Sequence, residues 1–106
     1  MVAGNLLADL PTKLAEEDLQ VLLEAGEVRI ERIISIGQAS PPGFWYDQDQ
    51  AEFVVVLAGQ ARLLIEGEAA PRALGPGDYL YLPAHCRHLV EWTDPATPTV
   101  WLAVHF

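Results

Sequence analysis

From Glu27 onward the apolar residues stop recurring at helical spacing and instead alternate singly, in short runs that Gly and Pro interrupt. Val28, Ile30, Ile34 and Ile36 fall on one face of the first run and Arg29, Glu31 and Ser35 on the other, which is the period of an extended strand. The runs "EFVVVLA", "ARLLIE", "APRAL", "YLYLPA", "HLVEWT" and "TVWLAVHF" follow, separated by Gly59 and Gln60, Gly67 and Glu68, "GPGD" and "DPATP". Strands recurring about every 8 to 12 residues, with no helix-length segments between them, predict an all-β sandwich or barrel. Before them, "GQASPPGFWYDQDQ" carries Pro41, Pro42 and Gly43 and must turn or loop.

The segment upstream reads differently. In "PTKLAEEDLQVLLEAG", Thr12 suits an N-cap, Glu16, Glu17 and Asp18 sit early where a helix dipole favours negative charge, and Leu19, Leu22 and Leu23 follow i, i+3, i+4 spacing. A short helix ending at Gly26 is expected. The organisation expected is therefore an N-terminal segment, residues 1–26, whose helix packs on a barrel of residues 27–106.

Composition narrows the functional classes. Hydrophobic residues make up 51% of the 106 and charged ones 20%, enough for one core in one domain. Six Lys plus Arg against fifteen Asp plus Glu leave a charge of -9 with no basic cluster, so nucleic acid is not an expected partner. Apolar runs such as "FVVVLAG" fall far short of the roughly 20 residues that span a bilayer, and no membrane association is expected. No secretory pattern opens the chain, and a single cysteine excludes an internal disulfide; both point to the cytoplasm.

Two segments carry chemistry. In "GFWYDQDQAEFVVVLAGQARL", Glu52 precedes Gly59 by a six-residue spacer; in "GPGDYLYLPAHCRHLVEW", Gly77, Pro83 and His88 are spaced by five and four residues. These spacings resemble the two motifs of the cupin superfamily, G-x5-H-x-H-x(3 or 4)-E-x6-G and G-x5-P-x-G-x2-H-x3-N. The second matches at Gly77, Pro83 and His88, with His85 in the second glycine position and Trp92 in the asparagine position. The first matches at Glu52 and Gly59. A three-residue spacer puts Tyr46 and Gln48 where the two histidines usually stand; a four-residue spacer puts Trp45 and Asp47 there. The first register is preferred, because Gln48 has an oxygen that can coordinate a cation and Trp45 offers no ligand atom.

The resemblance implies a double-stranded β-helix, or jelly-roll barrel, with the motif residues pointing inward and often holding Fe, Mn, Ni or Zn. It thus implies Gln48, Glu52 and His88 as metal ligands and Glu52 and Tyr46 as catalytic groups. Three imidazoles and a carboxylate are here reduced to one imidazole, one carboxylate and an amide oxygen, with the Tyr46 phenol as a further candidate, which weakens the expected site for a transition metal. A carboxylate facing into a barrel from an apolar strand nevertheless needs a partner, which marks Glu52 as functional.

His85, in a turn, and Cys86, beside it, read as bystanders, since adjacent strand residues point to opposite faces. His105 alternates with Trp101 and Ala103 in the last run, and the pattern leaves open whether it joins the cavity. The leading expectation is a cupin that binds a divalent metal and a small polar metabolite, with oxygenase or isomerase chemistry if it is an enzyme. The alternatives are a metal-free cavity that binds or senses a small ligand, and a structural homodimer.

Overall fold

The computed structural model describes residues 1–106 and contains eight strands: β1 (Asp18–Ala25), β2 (Val28–Ser35), β3 (Glu52–Ala58), β4 (Ala61–Ile65), β5 (Arg72–Leu74), β6 (Tyr79–Leu82), β7 (His88–Thr93) and β8 (Thr99–His105). Two antiparallel sheets form, a five-stranded one in the order β1-β2-β8-β3-β6 and a three-stranded one in the order β5-β4-β7. They face one another across a core of Val54, Val56, Leu82, Trp101 and Ala103 from the larger sheet and Ala61, Leu63 and Leu74 from the smaller. Burying each Val or Leu contributes about 1.5–3 kcal/mol, so this cluster supplies much of what holds the sheets together. The fold is the expected all-β jelly-roll barrel. No helix is long and apolar enough to cross a membrane.

The expected N-terminal helix does not form. Residues 18–25 are instead strand β1, paired with β2 from Asp18↔Ile34 to Ala25↔Val28. The register shifts between Val21 and Leu23, so Leu22 is an extra residue in a β-bulge. The bulge flips the phase of the strand: Leu19 and Val21 pair with Ile33 and Glu31, whereas Leu23, past the extra Leu22, pairs with Ile30 on the other face, so Leu19, Leu22 and Leu23 share helical spacing in the sequence without sharing a helix. Gly26, with φ of 58°, is the first residue of a two-residue loop, where a type II′ hairpin turn places its glycine. Pairing also fills backbone hydrogen bonds that β2 would otherwise leave open along that edge.

Alternation along β2 is as expected, but its polar face is the one that looks into the barrel. Register places Arg29 opposite His105, Glu31 opposite Ala103, Ile33 opposite Trp101 and Ser35 opposite Thr99. On the far side of β8, Glu52, Val54 and Val56 sit opposite His105, Ala103 and Trp101. Arg29, His105 and Glu52 therefore form a row across three strands. The apolar face of β2 is covered from outside by the N-terminal arm, where the Arg32 guanidinium donates to the carbonyls of Leu6 at 3.3 Å and Ala8 at 3.2 Å. Ile34, on that same face, is 1% exposed.

Gly59, the last residue of the first motif, closes the β3–β4 turn with φ of 89°. A Cβ there would lie 2.5 Å from the Thr99 Cα and 2.6 Å from the Pro98 carbonyl oxygen. Only glycine lets β8 begin so close to this turn.

Candidate ligand-binding site

The sheets enclose a half-open cavity of about 190 Å3. Tyr46, Gln48, Glu52 and His88, the four residues singled out by motif spacing, all line it. So does His105, whose position alternation had left open, together with Glu17, Arg29 and Glu31, which motif spacing does not reach.

Glu52 opens β3 and is 9% exposed. Its carboxyl group makes no hydrogen bond; the nearest ionisable nitrogen is His88 Nε2, 3.7 Å from Oε1. Burial pushes the Glu52 carboxyl above the ordinary carboxylate range, and Glu31 adds to the rise, while His105, His88 and Arg29 oppose it. The net direction is upward because desolvation outweighs partners that stand near without bonding.

His88 opens β7. Its Nδ1 lies 2.9 Å from the Cys86 carbonyl oxygen, which can only accept, so Nδ1 carries the proton. In the neutral ring Nε2 then presents a lone pair toward Glu52. The backbones of His88 and Tyr46 bond each other in both directions, at 2.7 and 3.2 Å, and their rings stack with centroids 5.4 Å apart. Phe44 meets the Tyr46 ring edge-on at 5.1 Å. Burial and the negative charges of Glu17 and Glu52 raise the Tyr46 hydroxyl further above neutrality, so it stays a neutral donor.

A second acid–imidazole pair lies beside the first. His105 Nε2 donates to Glu31 Oε1 at 2.7 Å, and both residues are 4% exposed. Arg29 Nε donates to the other Glu31 oxygen at 3.1 Å. Glu31 is thus satisfied from both sides, in contrast to Glu52. Ala103, opposite it in the register, leaves room for its side chain. Glu17 stands at the rim, exposed as a residue but with its carboxyl end turned inward, where Ser35 Oγ donates to it at 3.4 Å. Burial of that end raises its pKa and Glu31 and Glu52 add to the rise, against the lowering effect of the Ser35 hydrogen bond.

The other residues of the motif segments lie elsewhere. His85 is exposed and takes a left-handed backbone with φ of 61°, its Nδ1 2.7 Å from Asp47 Oδ1, outside the cavity. Asp47, the alternative ligand position, is therefore engaged with His85. Trp45 lies under the Arg87 guanidinium at 5.6 Å. Cys86 packs against the edge of the core, as a small hydrophobe does.

For a divalent metal of the kind the cupin motifs often hold, these residues do not fit. No three His, Cys, Asp or Glu side chains converge on a common point. His105 Nε2 is engaged by Glu31, and the expected set of Gln48, Glu52 and His88 reduces to one imidazole nitrogen, one carboxyl disfavoured in its charged form and one neutral amide.

Two facing antiparallel sheets with a cavity between them, lined by both ionisable and apolar side chains, define a double-stranded β-helix barrel. The family model described as a cupin domain matches residues 32–105, and the chain belongs to that family. A protein from Ralstonia eutropha JMP134, provisionally designated a mannose-6-phosphate isomerase, is 59% identical, with a TM-score of 0.95 over 97% of this chain and 95% of that one. A cupin superfamily protein from Desulfitobacterium hafniense DCB-2 shares the fold at 16% identity and a TM-score of 0.74, covering 92% and 83% of the two chains. An RmlC-like cupin from Methanocaldococcus jannaschii does so at 16% identity and a TM-score of 0.69, covering 92% and 85%. No curated protein matches the chain.

Proposed function

We propose that this cupin binds a small polar organic molecule in its barrel directly, through Glu52 and His88, without a metal between protein and ligand. One observation carries the reading: the largely buried Glu52 carboxyl makes no hydrogen bond within the protein and opens onto the cavity, where His88 Nε2 stands 3.7 Å away. A buried polar group left unpartnered costs about 1–3 kcal/mol, and an occupant that supplies the missing partner recovers it. A carboxyl with a raised pKa beside an imidazole of fixed tautomer is also equipped to exchange a proton with that occupant. Tyr46 supplies a neutral hydroxyl and an apolar ring to the same wall.

The designation of the Ralstonia eutropha relative supports proton-transfer chemistry more than it supports a phosphorylated sugar. Recognition of a phosphate dianion calls for free cationic donors. The cavity has one guanidinium, Arg29, which already pairs with Glu31, and three carboxyl groups.

The test is a thermal-shift screen of small polar metabolites in the presence of a chelator, with each hit repeated on Glu52→Gln and His88→Gln. The reading expects hits that survive the chelator and weaken in both variants. Hits that disappear with the chelator and return with one added metal ion overturn it.

A further inference from the structure

Resting on the reading of a directly bound ligand, we infer that the occupant is a small alkylammonium cation, its charged nitrogen held by the Glu52 and Glu17 carboxylates and its carbon groups against the aromatic and aliphatic wall. The charge pattern inside the barrel is the first reason. Glu31 takes up the nearby donors, the Arg29 Nε on one oxygen and the His105 Nε2 on the other. Glu17 is left with a single neutral donor, Ser35 Oγ at 3.4 Å, and Glu52 with none. Two carboxyl groups thus face one small cavity with no cation bonded to either.

The second reason is independent of the acidic cluster. Glu52 is 9% exposed and aimed into the cavity without a hydrogen bond, its nearest ionisable neighbour being His88 Nε2 at 3.7 Å, a position that carboxylates avoid unless a charge comes to meet them. Raised pKa values at Glu52 and Glu17 agree with this: burial raises both, and at Glu52 the nearby His105, His88 and Arg29 lower the value without reversing the rise. An arriving cation supplies that neighbour.

The third reason is the rest of the wall. Tyr46 and Trp101 present aromatic groups to the cavity, and Ile33, Val54, Leu63 and Val90 present branched aliphatic ones. Aromatic faces attract alkylammonium groups, and hydrocarbon walls accept their methyl or methylene substituents. A hydrated metal ion or a sugar would leave that apolar surface unused. At about 190 Å3 the cavity lies below the roughly 300–1,000 Å3 of drug-sized sites, which limits the occupant to a small molecule.

The experiment is isothermal titration of the full chain at pH 8 with two matched pairs, choline against its uncharged carbon isostere dimethylbutanol, and propylamine against propanol, with dimethylbutyrate as an anion. The inference expects each cation to bind about 10- to 100-fold more tightly than its neutral partner, the range of one charge-assisted contact. Glu52→Gln should remove most of that preference for the cation over its neutral partner. Glu17→Gln, a rim substitution that does not disturb the buried core, should reduce the preference in the same direction. Equal binding of charged and neutral partners overturns the cation but leaves direct ligand binding intact, as does preference for the anion. No binding by any probe overturns the cation inference, whereas the reading of a directly bound polar ligand fails if the metabolite screen is also empty or if its hits depend on an added metal ion.

Discussion

Glu52→Gln is expected to stabilise the empty protein, and to do so only at neutral and alkaline pH. In the folded state the Glu52 carboxyl has no hydrogen bond and stands 3.7 Å from His88 Nε2, while in the unfolded chain it is hydrated. Its folded pKa is raised above the unfolded value, first by burial. Below the unfolded pKa, near 4.5, both states hold the proton and the residue contributes no pH dependence. As pH climbs between the two values, the unfolded chain releases a proton that the folded chain keeps, so stability falls. Above the folded pKa the full penalty is in place. Glutamine fills the same space without a titrating group and escapes this loss.

An uncompensated buried polar group costs about 1–3 kcal/mol, and the amide retains part of that, so a gain of about 1–2 kcal/mol at pH 8 is expected. For a domain of this size that is a rise in Tm of about 4 °C or more. At about pH 4 the gain should vanish. Urea unfolding of wild type and variant, followed by tryptophan fluorescence at both pH values, measures the difference. A variant less stable than wild type at pH 8 would refute the reasoning, because it would mean that His88 and His105 hold Glu52 in a favourable ion pair.

Other substitutions separate the remaining parts of the account. Glu31→Ala removes the acceptor from His105 and Arg29 inside the barrel and should destabilise by about 3 kcal/mol in the same urea assay; a loss under about 1 kcal/mol would show that the pair is not maintained. Gly59→Ala should lose at least about 2 kcal/mol, since the new methyl meets the Thr99 backbone and the backbone angle is strained, and calorimetry would show it as a lowered Tm. His85→Ala should leave ligand affinity by titration unchanged, because its ring bonds Asp47 outside the cavity; a marked loss would bring that loop into the site.

What the sequence made legible follows from which physical signal each residue leaves. The strands from β2 onward announce themselves by alternation and by Gly and Pro between them, and the spacing of Gly77, Pro83 and His88 was enough to place His88 in the cavity with Glu52. β1 carries no unbroken period of two, because the extra residue Leu22 moves Leu23 to the face opposite Leu19 and Val21, and Leu19, Leu22 and Leu23 are left with the spacing of a helical stripe. The two-residue loop at Gly26 and Glu27 between apolar runs was the signal that could have corrected it.

Glu31 was missed for another reason. Alternation separates Arg29, Glu31 and Ser35 from Ile30 and Ile34, but it does not say which face looks inward, and here the polar face does. The other face is partly covered, with Ile34 buried and Arg32 bonded to the N-terminal arm, so neither face of β2 is simply the solvent side and polarity alone assigns neither. His105 is placed by the same register: it lies between Arg29 and Glu52 only because β8 runs between β2 and β3, a neighbour relation over long stretches of chain that no local pattern contains.

The measurement that tests the central claim most directly is elemental analysis by mass spectrometry of untagged protein purified without chelators, repeated after separate addition of Mn, Fe, Ni and Zn. Direct ligand binding by Glu52 and His88 predicts that no metal is retained near one per chain and that His88→Ala leaves the traces unchanged. Retention of one metal near one per chain, lost in His88→Ala, would contradict it.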